Sequence, residues 1–416
     1  MSLVAALDGR FVPPGPAGAP TRGRLDVLPT GRNLTSLDPR ALPTPTALAL
    51  AEKAAAEILR RHLQDHGDWP RRIVFDLWAS PTMRTGGEEL ATALALLGVR
   101  PKWDFASNRV TGIEAVPVAR LARPRIDVAL RVSGLFRDVF PGQMALFAQA
   151  IELLARLDEP DEDNPLAAAL RRGEPMDRVF GADYGSYGTG AARQTLDGDW
   201  TSRAELGETY LASARPAGSS PPADEPPEPA ADHRFRQIVA TSDALVHPQD
   251  DRERDILDAD GVADYVGGFA AAAAALGREV PLYQIDSSAP GTPKARTIAE
   301  EVARVVRGRL TNPAWIAGQM RHGHRGAAEM SQAVDAAFAM AAMAGAVTSR
   351  QFDDIHDAFV ADPDVSAFIR NANPEAGRSI ARRLEDAARR GLWRPRRNAV
   401  AEEWRRLAGE TTESGP

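Results

Sequence analysis

The chain has 416 residues, 44% hydrophobic and 26% charged, an ordinary composition for globular structure and enough length for two or three domains. A formal net charge of −7 argues against nucleic acid or an anionic membrane surface as partner. With no cysteine, disulfides, thiolate zinc sites, iron–sulfur clusters and a cysteine nucleophile are all excluded.

Met1 to Leu7 is too short and too weakly apolar for a signal peptide, and no apolar run approaches the length of a membrane span. A cytoplasmic location is therefore expected. Residues 1–46 read as an extended arm, rich in Pro, Gly, Thr and Arg and without periodicity from residue 8 onward. A first α/β domain is expected over 47–212. Ala47 to His62 is helical, with Leu48, Ala51, Ala55 and Leu59 on one face. Ile73 to Trp78 reads as a strand, and Gly86-Gly87 opens a helix that runs to Leu97 and stops at Gly98. Arg125 to Val132 is the next strand and Met144 to Leu157 the next helix.

A glycine- and aromatic-rich loop spans Phe180 to Gly190, suited to covering a flat apolar ligand or packing between domains. Residues 213–232 are low in complexity and are expected to form a disordered linker. A second α/β unit follows over 233–296: a buried strand through Ile238 to Val246, a helix from Val262 to Leu276 and a short strand from Leu282 to Ile285. The region 297–416 is helical, with breaks at Asn312-Pro313, Asp362-Pro363 and Asn373-Pro374. Strands alternating with helices predict an α/β fold, parallel sheets flanked by helices in two α/β units.

The densest polar stretch runs from His247 to Asp260, where six carboxylates, one histidine and two arginines follow an apolar run. A cation or a proton-transfer step calls for such a cluster, although a solvated helix start accounts for it as well. It is no EF-hand, since placing Gly261 sixth puts Ile256 first and Gly267 twelfth. Tyr184 to Gly190 lacks the Gly-Lys-Ser/Thr ending of a Walker phosphate loop. Arg321 to Gly326 holds a His-Gly-His turn, which suits either metal ligation or capping at a helix break.

In open α/β sheets ligands bind beyond the carboxyl ends of the strands. Four loops are loaded for that position: Trp78 to Glu88, Ser133 to Asp138, the acidic stretch, and Asp286 to Ser288. Glu88, Arg137, Asp250, Glu253 and Asp258 are thus expected to line one cleft. Glu88 also has a simpler explanation, a carboxylate matched to a helix dipole.

Several motifs occur together and in order. They include Arg84-Thr85-Gly86-Gly87-Glu88, Arg123-Pro124-Arg125-Ile126-Asp127-Val128, Gly134-Leu135-Phe136-Arg137-Asp138, Gly185-Ser186-Tyr187-Gly188, Asp258-Ala259-Asp260, Leu310-Thr311-Asn312-Pro313 with Trp315, and His322-Gly323 to Gly326. Preceded by Leu28-Pro29-Thr30-Gly31-Arg32-Asn33-Leu34, they resemble the C-terminal third of the large subunit of the class I tetrapyrrole metal chelatases, and the acidic stretch is closer to the cobalt branch than to the magnesium one.

The resemblance implies ATP-dependent insertion of cobalt into hydrogenobyrinic acid a,c-diamide on the route to cobalamin. It also implies partners: an AAA+ ATPase subunit that uses the ATP, its co-subunit, and a separate chain supplying the rest of the large subunit. Insertion strips water from a divalent cation and removes two protons from ring nitrogens, work for carboxylates and an imidazole. The resemblance then assigns Glu88 and His322 to proton or metal handling. Asp250, Glu253 and Asp258, with His322, present the metal; Arg84, Arg137 and Tyr187 bind the macrocycle, the arginines through its carboxylates. Two departures stand out, Arg254 where the cobalt branch is expected to hold a histidine, and His247-Pro248 in place of a more polar pair. The rival readings are a tetrapyrrole- or cobalt-binding carrier without insertion activity, and an H-type magnesium chelatase large subunit.

Overall fold

A computed structural model describes residues 2–15, 25–29, 31, 37–182, 185–217, 230–258, 261–289 and 291–409. Their centre is one mostly parallel sheet. β1 (Arg72–Leu77) is buried at every residue; the hairpin β2 (Val99–Asp104) and β3 (Arg109–Ala115) stands apart from the sheet. β4 (Asp127–Val132) is again wholly buried, β5 (Val179–Gly181) and β6 (Arg215–Pro216) are short, and β7 (Ala244–Gln249) is buried except at its last residue. β8 (Leu282–Asp286) and β9 (Lys294–Thr297) complete a seven-stranded order β6-β5-β4-β1-β7-β8-β9. The interior strands pair in parallel, and only the two edges, β6 and β9, are antiparallel.

Strands buried on both faces need helices on both faces. Ile73, Phe75, Val128, Leu130 and Val246 face one layer, built from the helices Pro45–His66, Glu88–Leu97 and Pro141–Ala155. Val74, Ala129 and Leu245 face the other, where Arg203–Ala212 and Gly268–Ala275 lead into the C-terminal helices. The α/β architecture expected from the alternating pattern is present, and the two α/β units share a single sheet because β7 pairs with β1.

Some local expectations change. Ile238 to Ala240 belong to the helix Ala230–Thr241, and the strand begins at Ala244 and includes His247. A short apolar run reads the same in a buried helix as in a buried strand. Tertiary contact decides the boundary, since the Asp243 carboxylate accepts the backbone N–H groups of Arg71 (2.7 Å) and Arg72 (3.0 Å) and docks β7 beside β1. Arg215–Pro216, placed in the expected linker, form an edge strand instead, while 218–229 lie outside the described residues. The three proline breaks are helix starts, each with an Asn or Asp cap and Pro in the first turn.

At the amino end of the sheet the buried charges are matched. Asp127, 1% exposed, accepts from Arg72 Nε at 2.8 Å and Arg178 Nε at 2.7 Å, and these cations hold its carboxyl below the usual range against the opposing effect of burial. Asp127→Ala strands two buried guanidinium groups and is expected to cost about 3–5 kcal/mol. Thermal unfolding measures it; a melting temperature within error of wild type would show that the pair does not hold the sheet.

Candidate functional site

The chain leaves β1 onto one face, through the helices Ala79–Thr85 and Glu88–Leu97, and leaves β7 onto the other, through Val262, Val266 and Phe269. Diverging connections from adjacent parallel strands open a crevice at their carboxyl ends. The loops after β4, β1, β7 and β8 all leave this one edge.

Arg84, from the β1 side, grips Asp250, from the β7 side, with Nε and one Nη each 2.8 Å from a carboxylate oxygen. Asp250 is nearly enclosed, its side chain 4% exposed, whereas that of Arg84 is 46% exposed. Glu89 is buried beside this pair and accepts a 2.7 Å hydrogen bond from the Thr85 hydroxyl. Burial, reinforced by the negative charge of Asp250, pushes its carboxyl up to about 8. The fold thus holds one carboxyl that titrates near neutrality beside one kept as an ion pair.

Below them a polar row crosses the sheet. Asp76 on β1 is in register with Arg131 on β4, and His247 on β7 with Gln284 on β8. His247 Nδ1 lies 3.2 Å from Asp76 Oδ2, and burial raises the Asp76 carboxyl despite His247 and Arg131 nearby. Trp78 stands edge-on to His247 and to Tyr265, with ring centroids 5.4 and 5.5 Å apart, and Arg131 stacks on Tyr210, Phe235 and Tyr265. Asp76 Oδ1, Glu89 Oε1, Gln284 Oε1 and two nitrogens of Arg131 are buried and make no hydrogen bond among the described residues. Native interiors seldom leave so many such atoms in one place.

The residues expected from sequence are only partly gathered. Arg84 and Asp250 meet, and they engage each other. Glu88 is buried at the start of its helix, its N–H donating to the Thr85 hydroxyl at 3.0 Å. Arg137 is 4% exposed and donates to the Ala182 carbonyl (2.6 Å) and to Asp138 (2.8 Å), which ties it inside its own loop. Tyr187 is 60% exposed, its loop held by Asp264, whose carboxylate accepts from Thr189 and from the Ala192 N–H. Gly134 permits that loop's approach, since a Cβ there would lie 2.6 Å from the Ser186 carbonyl.

Glu253 is exposed, and Asp258 is half-buried, its carboxyl raised by burial more than Arg309 lowers it. His322 is exposed on the turn between the helices Pro313–Met320 and His324–Ala344. Among the described residues no three His, Asp or Glu side chains stand close enough to hold a metal ion. Thr30, 32–34, Asp183, Tyr184, Ala259 and Asp260 lie outside the described residues.

Glu89, Asp76 and Arg131 were not singled out by the sequence. The last two carried a signal, a charge inside a strand whose neighbours are all apolar, which places that charge in the interior. Glu89 carried none, since adjacent glutamates at a helix start read alike until packing separates them.

The CobN/Magnesium Chelatase family model matches residues 1–400. The chain is 46% identical over 420 residues to an aerobic cobaltochelatase subunit CobN from Sinorhizobium sp, covering 96% of this chain and 32% of the relative. It is 31% identical over 410 residues to the H-type large subunit of magnesium chelatase from Rhodobacter capsulatus, covering 94% of this chain and 33% of that protein. The chain thus spans about a third of the length of the curated relatives it matches. The solved catalytic subunit of cobaltochelatase from Mycobacterium tuberculosis superposes with a TM-score of 0.88 at 36% identity, covering 98% of this chain and 35% of that one.

Because the Glu89 carboxyl moves from an ordinary 4.5 to about 8, the fold favours its protonated form. That contribution to stability is full below pH 4.5 and is lost as pH rises through about 8. Glu89→Gln keeps an acceptor for Thr85 and is expected to flatten the fall of melting temperature across this window. Parallel curves for wild type and variant would show that Glu89 is not the titrating group.

Proposed function

The chain belongs to the CobN/Magnesium Chelatase family, and on that premise we propose that it forms part of the large subunit of an ATP-dependent cobaltochelatase. Its substrates are Co2+ and hydrogenobyrinic acid a,c-diamide, in cobalamin biosynthesis. An AAA+ ATPase subunit and its co-subunit spend the ATP, and another chain completes the large subunit. Identity to the cobalt branch exceeds identity to the magnesium branch, which favours cobalt as the cargo.

The observation that carries this reading is the meeting of Glu89 and Asp250, 161 positions apart (250 − 89), in the crevice between β1 and β7. Metallation needs a group that takes protons from ring nitrogens, and a carboxyl near 8 exchanges protons readily at working pH. It also needs an oxygen donor that replaces water on the cation and then lets go. Asp250 serves that step once Arg84 turns from it to a carboxylate of the macrocycle. Trp78 and Tyr187 stand where a flat ring needs apolar cover. Glu253 and Asp258, exposed and half-buried, pass the cation inward, and Glu88 and His322 take the second proton or complete the donor set together with the rest of the large subunit.

The test mixes the chain with the ATPase pair and the remainder of the large subunit and follows cobalt uptake by absorbance. Glu89→Gln and Asp250→Asn are expected to slow uptake by about 10²–10⁴-fold with the fold intact. Wild-type rates in both would remove these assignments. Macrocycle binding without uptake by the complete wild-type assembly would make the chain a carrier, and turnover of magnesium with protoporphyrin would move it to the other branch.

A further inference from the structure

Beside the crevice, at the carboxyl ends of β7 and β8, lies a cavity of about 610 Å³ that the reaction above leaves unused. Six cations line it, Arg252, Arg254, Lys294, Arg296, Arg304 and Arg309. They face four carboxylates, Asp251, Asp255, Asp286 and Glu301, an excess of two positive charges (6 − 4) in a chain whose net charge is −7.

The internal pairings do not exhaust the cations. Asp286 and Glu301 lie 3.3 and 3.4 Å from Arg296, Glu301 also takes Arg304, and Asp255 holds Arg309 at 2.6 Å. Arg252 donates to the Ser288 hydroxyl at 3.2 Å, and neither it, Arg254 nor Lys294 makes an ion pair with a described residue. Gln284, 2% exposed, lines the same cavity, and its side-chain oxygen is one of the buried atoms without a hydrogen bond. A buried acceptor beneath a cationic rim marks a site built for a ligand with both anionic groups and an N–H donor.

The shape narrows the ligand further. No aromatic side chain lines the cavity, so a ring has nothing to stack on there; Trp78 and Tyr265 stand in the crevice instead. The cations are spread around the wall and alternate with carboxylates. That pattern suits several separated single charges, whereas Asp251 and Asp255 would repel one compact dianion.

We propose that this cavity binds the carboxylate-bearing edge of the macrocycle while the ring lies over the crevice. The inference rests on the chelatase reading and adds to it the substrate's orientation. Arg252, Lys294 and Arg296 take peripheral carboxylates through charge-assisted hydrogen bonds. Gln284 accepts from the N–H of a neighbouring carboxamide.

The experiment measures binding of hydrogenobyrinic acid a,c-diamide, its fully esterified neutral counterpart, tricarballylate and inorganic phosphate. Wild type is compared with the double variant Arg252→Gln/Lys294→Gln, neither residue being part of an ion pair, with circular dichroism confirming the fold. The acid macrocycle is expected to bind about tenfold or more weakly to the variant, and the ester equally to both. Equal affinity of both proteins for the acid macrocycle overturns the proposal, as does failure of wild type to bind either polycarboxylate. Tricarballylate bound by wild type and lost in the variant, with no macrocycle binding at all, keeps the carboxylate site and removes the chelatase reading. Phosphate bound more tightly than tricarballylate through the same residues overturns the ligand class.

Discussion

The parallel pairing of β1 with β4 on one side and β7 on the other is the constraint on which the rest of the structure depends. Phe75 sits opposite Leu130 and Val246 at once, so segments more than 160 positions apart close on a single strand. A parallel pair cannot be joined by a tight turn, so each neighbour arrives through a long crossover whose helices must cover a face. With crossovers departing to opposite faces after β1 and β7, the crevice between them is a consequence of topology, and side chains only furnish it.

The two ends of the sheet are finished differently. At the amino end, Asp127 is satisfied by Arg72 and Arg178, and Asp243 caps two backbone donors. At the carboxyl end, Asp76, Glu89, Arg131 and Gln284 all bury polar atoms that find no partner among the described residues. Leaving a buried polar atom unpaired costs about 1–3 kcal/mol, so stability alone does not account for that arrangement. A matched end secures the scaffold, and an unmatched end is suited to a ligand whose own groups complete it.

The glycine- and aromatic-rich loop belongs to this economy of positions. Asp264 lies in a π-helical turn, Ala263–Gly267, at the start of the helix that follows β7, and from there it fixes Thr189 and Ala192. Tyr265, the next residue, carries the contacts to Trp78 and Arg131. One widened turn therefore aims a carboxylate at the loop and a ring at the crevice, a use of π-helical geometry that recurs at functional sites.

Much of this was legible in the chain itself. Continuous apolar runs such as Ile73 to Leu77 and Asp127 to Val132 specify buried strands, Gly98 and the Asn/Asp-Pro pairs specify helix ends, and loaded loops after successive strands specify one functional edge, because each is a local consequence of backbone chemistry. What only the tertiary structure decided was pairing. That Asp250 meets Arg84 and leaves Glu89 to titrate near neutrality, that Arg137 turns inward, that His322 stands on an exposed turn, and that β7 joins the first unit's sheet all depend on distances between residues far apart in sequence. Burial and Coulomb energies follow those distances, and spacing along the chain does not contain them.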